Sequence, residues 1–241
     1  MHPYEQKTVG QRIRKNPYPG RGIVTGCTPN GKYVASAYFI TGRSENSRNR
    51  IFVNHGSFLT TEPFDTSKME DPSLILYTAV RRFANRLVIT NGDHTDTVYE
   101  ALSAGKTLEE ALETRTFEPD APNFTPRIGS VVTLEGQTFS YCMSILKSLD
   151  EAGSTCVRYF FRYPAKAGTG HLIHTYQTNG NPLPSFCGEP KRIVLPDDID
   201  AFTQEIWQNL NEQKRIALYV RFESLEDGTV LERLINQNET R

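Results

Sequence analysis

The 241-residue sequence lacks several features that assign a protein to a class at once. No apolar run approaches the roughly 20 residues that a membrane-spanning helix needs. The first residues, Met1 to Lys7, lack the apolar core of a signal peptide. The formal net charge is −1, so no global basic field gathers nucleic acid. These absences predict a cytoplasmic protein whose partner is neither a membrane nor a nucleic acid.

Clustered metal and redox ligands are also lacking. His171 and His174 lie three apart in a strand-like run, which places them on opposite faces. We therefore expect no metal site. Cys27 precedes a turn, and a nucleophilic role for it stays open, although no adjacent histidine supports one. The spacing of the four cysteines fits neither a zinc knuckle nor a redox pair: Cys27, Cys142, Cys156 and Cys187.

What the chain does contain is a series of strand-like runs separated by turn signals. Its residues are 37% hydrophobic and 23% charged, which is enough for a core. Asn30-Gly31 and Asp227-Gly228 suit tight hairpins, and hairpin neighbours pair antiparallel. About ten such runs are expected, including residues 51–58 and 74–83, whereas residues 60–72 are expected to form a loop.

Helical signals occur at two places in the chain. Residues 96–104 are expected to form a helix that ends at Gly105, and Thr107 with Glu110 forms the capping box of a second helix. Apolar residues recur at helical spacing across residues 198–213, which predicts the longest helix.

These elements together predict one architecture. Two stacked, mainly antiparallel sheets with helices on their outer faces would bury every apolar stripe. We therefore expect an α+β fold, a four-layer αββα sandwich. It would form a single domain over residues 1–241, with the polar residues 1–17 as an N-terminal arm.

One polar segment, residues 42–50, holds three arginines and neither a lysine nor an apolar side chain. The planar donor fork of arginine grips phosphate or carboxylate at two points, and the serines and asparagines add short polar groups. The segment is therefore either an anion clamp, with phosphate as the first candidate, or a solvated loop whose arginines pair with acidic neighbours.

A second polar segment, residues 90–96, lies between a strand and a helix. Its Gly92 permits a tight turn. The segment is either a plain strand-to-helix turn, or a site where Asn91, His94 and the helix-start amides hold a polar ligand. Tyr77 interrupts an apolar run, and its simplest role is a core tyrosine with a satisfied hydroxyl.

Read in order, the polar segments resemble the IMP cyclohydrolase family of the archaeal type, from about Tyr18 to the C-terminal hairpin. The resemblance implies an αββα fold like that of the N-terminal nucleophile hydrolases, without their self-cleavage. It also implies ring closure of a formamido-imidazole-carboxamide ribonucleotide (FAICAR) to inosine monophosphate in purine biosynthesis. The segments that carry it are residues 20–23, 30–32, 37–38, 42–50, 90–96 and 125–128.

The implied reaction joins the carboxamide nitrogen to the formyl carbon and expels water. It needs a phosphate grip, an orienting pocket, an oxyanion donor and a proton carrier. It needs no metal, redox cofactor or covalent nucleophile, so the resemblance implies a small purine ribonucleotide as partner and no cofactor. A homo-oligomer is compatible with the sequence.

Carried over residue by residue, the resemblance places Tyr77, Asn91 and Glu118 in catalysis. Asp120 is an equal candidate with Glu118 for the acid that moves protons. In the arginine segment, Arg43 and Arg48 are expected to bind substrate, and Arg50 is interpreted as structural. The expected substrate-binding set is Arg43, Ser44, Asn46, Arg48, His94 and Arg127.

Two other functions compete with the cyclohydrolase. One is a non-catalytic purine-nucleotide-binding protein that keeps the pocket and has lost the proton carriers. The other is an amide hydrolase on a related fold that uses Cys27.

Overall fold

The computed structural model describes residues 5–68 and 76–238. In that part of the chain the helices are α1 (Val9–Ile13), α2 (Glu45–Arg48), α3 (His94–Ser103), α4 (Leu108–Glu113) and α5 (Ile199–Asn209), with a 3₁₀ turn at Thr66–Lys68. The strands are β1 (Arg21–Cys27), β2 (Tyr33–Thr41), β3 (Ile51–Asn54), β4 (Phe58–Glu62), β5 (Tyr77–Phe83), β6 (Arg86–Thr90), β7 (Arg127–Glu135), β8 (Thr138–Ser148), β9 (Cys156–Pro164), β10 (Thr169–His174), β11 (Lys191–Val194), β12 (Arg215–Ser224) and β13 (Val230–Asn236).

The strands form two antiparallel sheets. The first has six strands in the order β11-β10-β1-β2-β12-β13, and the second has seven in the order β3-β4-β5-β6-β7-β8-β9. Most neighbours in the second sheet are joined by short turns, as hairpin signals predict. In the first sheet β1 lies between β2 and β10, so the start of β1 is enclosed on both sides.

Three apolar layers separate four structural layers. The largest core lies between the sheets and joins β2 to β7 through residues such as Tyr38 and Ile128. A second core packs α1 and α5 on the outer face of the first sheet, and a third packs α3 and α4 on the second sheet. The predicted α+β sandwich of two antiparallel sheets with outer helices is confirmed. No helix within residues 5–68 and 76–238 is long and apolar enough to cross a bilayer.

Local helix signals are reproduced closely. Thr107 and Glu110 form the expected capping box, and the Asp198 side chain caps α5 by accepting from the backbone N–H of Ala201 at 2.7 Å. Helix α3 begins at His94, two residues before the expected start, because the turn at Gly92 already winds into the helix. The final hairpin, β12–β13, lies where the Asp227-Gly228 turn predicts it.

The prediction for residues 51–72 was partly wrong. Instead of one strand followed by a loop, the chain forms the hairpin β3–β4, in which Phe52 pairs with Thr61. Its turn uses Gly56 at φ 83°, a conformation that suits glycine. Leu59 and Thr61 are buried and their neighbours are less so, which is the alternation of buried and exposed side chains that is typical of a strand. The mostly polar composition of the segment concealed this alternation. Residues 69–75, which include the end of the expected loop and the start of the expected strand 74–83, lie outside the described residues.

Two further elements have no counterpart in the sequence prediction. Helix α1 lies within the expected arm, and it buries Val9 and Ile13 beneath α5. Strand β11, between Pro190 and Pro196, is the edge of the first sheet, and its Val194 amide donates to the carbonyl of Lys7. The described part of the arm is therefore packed on the sandwich.

Candidate active site

A cleft of about 270 Å³ opens at the end of the sandwich where β1 and β7 begin. Its walls come from the start of β1, the segment 42–50 after β2, the loop 118–125 before β7 and the loop after β10. Because arginine binds phosphates and carboxylates by paired hydrogen bonds, the lining suits an anionic ligand. Three arginines and two carboxylates line the cleft: Arg21, Arg43, Arg50, Glu118 and Asp120.

The arginine segment is not an open loop, because it winds into the single helical turn α2. Ser44 caps this turn through a hydrogen bond of 3.1 Å from the Ser47 amide to its Oγ. The turn brings Arg43, Ser44 and Asn46 onto the wall of the cleft.

Arg43 fastens the segment to the opposite wall. Its Nη1 donates to the carbonyl oxygen of Gly180 at 2.7 Å and to Asn179 Oδ1 at 3.0 Å. Its guanidinium carbon lies 5.1 Å from the centroid of the Tyr18 ring, a cation–π contact. Arg43 is exposed, so this contact closes the rim of the cleft.

The helical turn sends Arg48 and Arg50 in different directions. Arg48 is exposed and does not line the cleft, contrary to its expected role in binding substrate. Arg50, interpreted as structural, is 4% exposed and lines the cleft, and its Nε donates to the carbonyl of Ser47 at 2.7 Å. Burial and the nearby Arg21 charge lower the pKa of Arg50, and among the described residues it has no acidic partner. A bound anion would relieve this cost.

Arg21 and Glu118 form a buried ion pair at the base of the cleft. Arg21 Nη2 lies 3.4 Å from Glu118 Oε2, and both side chains are almost wholly buried. Burial raises the pKa of Glu118, while the charges of Arg21 and Arg127 oppose that rise. A carboxyl group whose pKa is raised by burial holds a proton more readily, which suits it to accept and return one during catalysis.

Asp120, the other candidate acid, is occupied in closing its own loop. Its Oδ1 accepts from the Thr125 amide at 2.6 Å, and its Oδ2 accepts from the Thr125 hydroxyl. The same hydroxyl is hydrogen-bonded to the Tyr176 hydroxyl. The geometry therefore favours Glu118 over Asp120 as the proton carrier, because Glu118 has no such role in the loop.

Tyr77 does not line the cleft itself and lies behind its buried arginines, in contact with a second tyrosine. Its hydroxyl is 2.7 Å from that of Tyr38, and the exposed fractions are 7% and 0%. Burial, with the neighbouring Tyr77, raises the pKa of Tyr38 well above its usual value. Both hydroxyls interact electrostatically with Arg21 and Arg50. The pair therefore acts on the cleft through the two buried guanidinium groups that line it.

Asn91, expected to stabilise charge during catalysis, is a buried clamp. Its Nδ2 donates to the carbonyl of Pro126 at 2.9 Å, and its Oδ1 accepts from the Ile128 amide at 2.7 Å. Both polar atoms thus hold the end of β6 against the start of β7. The structure places Asn91 behind the site and gives it no face on the cleft.

His94 and Arg127 form a second layer beneath Glu118. Arg127 Nη1 donates to Asp93 Oδ1 at 2.6 Å and lies 3.3 Å from His94 Nδ1. Because arginine only donates, Nδ1 accepts, and the proton is on Nε2, which is 3.3 Å from the carbonyl of Ile128. Burial and Arg127 lower the pKa of His94 to about 3, so it is neutral. Gly92 leaves room for this contact, since a Cβ there would lie 2.7 Å from Arg127 Nη1.

Three polar atoms around the site are buried and have no hydrogen-bond partner among the described residues. They are Arg21 Nε, Arg127 Nε and Asn46 Oδ1. Buried polar groups in folded proteins are nearly always paired, so orphaned atoms grouped in one region indicate a place for a ligand or water. Two of the three are cationic donors, which again suits an anion.

Sequence reasoning missed several residues that the fold brings to this region. Arg21 was recognised only as part of a motif, and Tyr38 likewise. The signal for Arg21 was a charged residue that opens an apolar strand. Tyr176 carried no signal, since it is one aromatic residue in a loop, and only the fold places it beside Thr125.

Cys27 lies at the other end of β1 from Arg21 and does not line the cleft. It is buried, and burial together with Asp197 raises the pKa of its thiol. A nucleophilic cysteine needs the opposite shift. The structure therefore gives no support to an amide hydrolase that uses this residue.

Comparison with known proteins gives one consistent family. The model of a family described as IMP cyclohydrolase-like protein matches residues 18–228. The IMP cyclohydrolase of Methanopyrus kandleri is 36% identical over 163 residues, covering 66% of this chain and 75% of the relative. The enzyme of the same name from Methanococcus aeolicus is 30% identical over 164 residues, covering 66% and 74%. That of Methanocaldococcus jannaschii is 32% identical over 117 residues, covering 48% and 56%.

Proposed function

The chain belongs to the IMP cyclohydrolase-like family, and we propose that its cleft closes the purine ring of FAICAR to give inosine monophosphate and water. The observation that carries the proposal is the buried cluster of Arg21, Arg50 and Glu118, in which Glu118 pairs with Arg21 while Arg50 has no acidic partner among the described residues. Such a cluster is incomplete without an anionic ligand. A ribonucleotide with a phosphate group and a developing oxyanion supplies that charge.

The wall formed by α2 is proposed to bind the phosphate. Arg43 and Arg50 bring the charge, and Ser44 and Asn46 lie on the same wall. In the free protein Arg43 donates to two neutral acceptors on the opposite wall, the Gly180 carbonyl and Asn179 Oδ1. A phosphate is a charged and therefore stronger acceptor, and it would take their place. His94 and Arg127 are proposed to support this site from beneath, and Arg48 is proposed to have no direct contact with substrate.

Ring closure is proposed to depend on Glu118 for proton transfer. The carboxamide nitrogen attacks the formyl carbon, a C–N bond forms, and the formyl oxygen becomes an oxyanion. Glu118 takes a proton from the attacking nitrogen and returns it to the oxyanion, which becomes a hydroxyl. It then takes the proton of the former formamido nitrogen and returns that proton to the hydroxyl, so that water leaves, a C=N bond forms and the ring becomes aromatic. Arg21 stabilises the developing oxyanion, and the Tyr77 hydroxyl orients it. Asn91 acts through the backbone that it clamps.

The substrate class also supports a place of action. A ribonucleotide phosphate is charged and does not cross bilayers unaided, so we place the reaction in the cytoplasm. The residues named above need no metal or redox cofactor for this chemistry. A single domain over residues 1–241 and a homo-oligomeric assembly stay predictions.

The experiment is to incubate the protein with FAICAR and follow the absorbance of the purine product. We expect turnover by the unaltered chain and a fall in kcat of about 100-fold or more for Glu118→Gln, since general acid–base catalysis contributes 10²–10⁴-fold. Asp120→Asn, which changes the alternative acid, should retain most of kcat. Tight binding of the nucleotide without turnover would instead support the non-catalytic binding protein, and loss of turnover on thiol alkylation would support Cys27.

A further inference from the structure

A second cavity lies at the other end of the sandwich, outside the proposed active site. It has a volume of about 390 Å³ and shares no lining residue with the cleft. Its His171 pairs with Thr25 on β1, four residues from Arg21. At a rise of about 3.3 Å per residue, that is about 13 Å along the strand from the base of the cleft.

The inner wall of this cavity is a tyrosine–histidine pair. The Tyr141 hydroxyl lies 2.6 Å from His171 Nδ1, and Tyr163 stacks on His171 with 3.6 Å between ring centroids. Burial and the charge of Arg192 lower the pKa of His171 to about 4, and burial raises the pKa of Tyr141. Both groups are therefore neutral at physiological pH.

A neutral pair of this kind keeps one proton for a ligand. Tyr141 brings one O–H and neutral His171 brings one N–H, and their mutual hydrogen bond uses only one of the two. If the hydroxyl donates to Nδ1, the N–H is on Nε2; if Nδ1 donates, the hydroxyl proton is left. In either tautomer the wall therefore offers one further hydrogen-bond donor to the cavity.

The charges around the cavity are cationic. Lys166 and Arg192 line it, and Arg192 lies directly across β10–β11 from His171. No carboxylate is among the described residues that line the cavity. Glu189 lies close enough to Tyr163 for its negative charge to add to the rise that burial causes in the pKa of Tyr163. The remaining lining consists of Tyr141, Tyr163 and Pro164 with the polar Gln6 and Thr169, and the ring faces favour an apolar body over a bare inorganic ion.

We propose that this cavity binds a small organic anion, with a carboxylate or phosphate group on a planar apolar body. The anionic group lies against Lys166 and Arg192 and accepts the free proton of the Tyr141–His171 pair. The apolar body fills the space beside Tyr163. This second site is separate from ring closure and does not depend on the proposed function of the cleft.

The test uses the full chain without nucleotide, and benzoate and phenyl phosphate as probes in isothermal titration calorimetry. We expect saturable 1:1 binding of at least one probe with Kd of about 1 mM or tighter. The probe with the lower Kd shows whether the site prefers a carboxylate or a phosphate group. The double variant Lys166→Gln, Arg192→Gln should weaken binding by about 10-fold or more, and Tyr141→Phe by several-fold. Lys166→Gln alone, a change of an exposed side chain, should weaken binding measurably even where the double variant fails to fold.

Two controls locate the binding. Lys15→Gln removes an exposed cation that lines neither cavity and should leave Kd unchanged. Arg50→Gln alters only the cleft and should also leave it unchanged, even if the chain turned out not to cyclise FAICAR. The absence of saturable binding of both probes would overturn the proposal. So would affinity that survives Lys166→Gln, or affinity that is lost in Arg50→Gln.

Discussion

At the scale of single residues, the buried guanidinium of Arg50 matters more to the proposed site than the exposed one of Arg48. Arg50 is 4% exposed, with Arg21 near it and no acidic partner among the described residues. Its desolvation is an unmet cost in the free protein, and a phosphate would reduce that cost. Arg48 has its charge in solvent, and its described hydrogen bonds are made by its backbone: the amide donates to the Ser44 carbonyl, and the carbonyl accepts from Asn238 Nδ2 at 3.0 Å.

We therefore expect Arg50→Gln to raise KM for FAICAR by about 10- to 100-fold, since a hydrogen bond to a charged group is worth about 1.5–3 kcal/mol. Arg48→Gln is the matched control, two residues earlier in the chain and exposed, and should leave KM within about twofold. Steady-state kinetics decides between them. Equal effects of the two changes would contradict the assignment.

Tyr38 is a positioning residue, since its side chain is wholly buried and its one described side-chain hydrogen bond is to Tyr77. Tyr38→Phe removes the partner of the Tyr77 hydroxyl and leaves that hydroxyl free to rotate. We expect kcat to fall by about 10-fold with KM nearly unchanged, because an unsatisfied buried group costs about 1–3 kcal/mol.

The control for Tyr38→Phe is Tyr219→Phe. Tyr219 lies in the same inter-sheet core, and its hydroxyl donates to Glu232, away from the cleft. Its loss should lower the free energy of unfolding and leave kcat as it is. If both changes reduce kcat alike, Tyr38 acts through general stability, and the Tyr38–Tyr77 pair has no special part in turnover.

At the scale of elements, α1 turns an expected arm into part of the core. Ile13 is 2% exposed and packs in the layer beneath α5. Ile13→Ala should lower the free energy of unfolding by about 2–4 kcal/mol, the usual cost of such a cavity. Arg14→Ala, at the next and exposed position, should cost less than about 0.5 kcal/mol. Urea denaturation measures both, and a small effect at Ile13 would mean that the segment is a loosely held arm after all.

Elements with local signals were predictable from sequence, and those made by distant contacts were not. The capping box at Thr107 and the turn at Asp227-Gly228 are each written within four residues, so the sequence shows them directly. Strand β11 exists because it pairs with β10, and helix α1 because α5 covers it. Neither partner is near in the chain, and four or five residues carry too little periodicity to show such a pairing.

The same limit explains the candidate site. Four of the residues that the sequence predicted for the site do line the cleft: Arg43, Ser44, Asn46 and Glu118. Arg50 lines the cleft in place of Arg48 because α2 ends at Arg48: Arg48 stays exposed on the turn, and the chain leaves the helix at Asn49 before it buries Arg50. Asn91 and His94 were noticed because they are polar at a strand end. Both side chains are buried and use their polar atoms to hold neighbouring protein groups, so they support the site and do not line the cleft. Their burial depends on the whole fold, which the local sequence does not show.

At the scale of the molecule, three histidines, one on α3 and two on β10, are held neutral by the fold. Burial lowers the pKa of His94 to about 3 and those of His171 and His174 to about 4. A nearby positive charge lowers each pKa further: Arg127 acts on His94, Arg192 acts on His171, and Lys191 acts on His174. At His174 the hydrogen bond to the Tyr176 carbonyl opposes the fall in pKa. All three are therefore easier to protonate in the unfolded chain, where the pKa is about 6.5.

This difference fixes the sign of the pH dependence. The folded-state pKa values are depressed, so the unfolded chain binds more protons below pH 6.5, and stability present above that pH is lost as the pH falls towards 4. Each histidine contributes a slope of up to about 1.4 kcal/mol per pH unit in that window. The free energy of unfolding, from urea denaturation at pH 7.5, 6.5, 5.5 and 4.5, should therefore fall with increasing steepness.

One substitution makes the assignment specific. His171→Gln lies outside the proposed active site and removes one of the three protons, so the slope between pH 5.5 and 4.5 should drop by up to about 1.4 kcal/mol per pH unit. Stability at pH 7.5 should fall through the lost contact with Tyr141. Carboxylates also titrate towards pH 4, but they are common to both proteins and cancel in the comparison. An unchanged slope would mean that His171 is already protonated in the fold, and the neutral Tyr141–His171 pair of the second cavity would have to be abandoned with it.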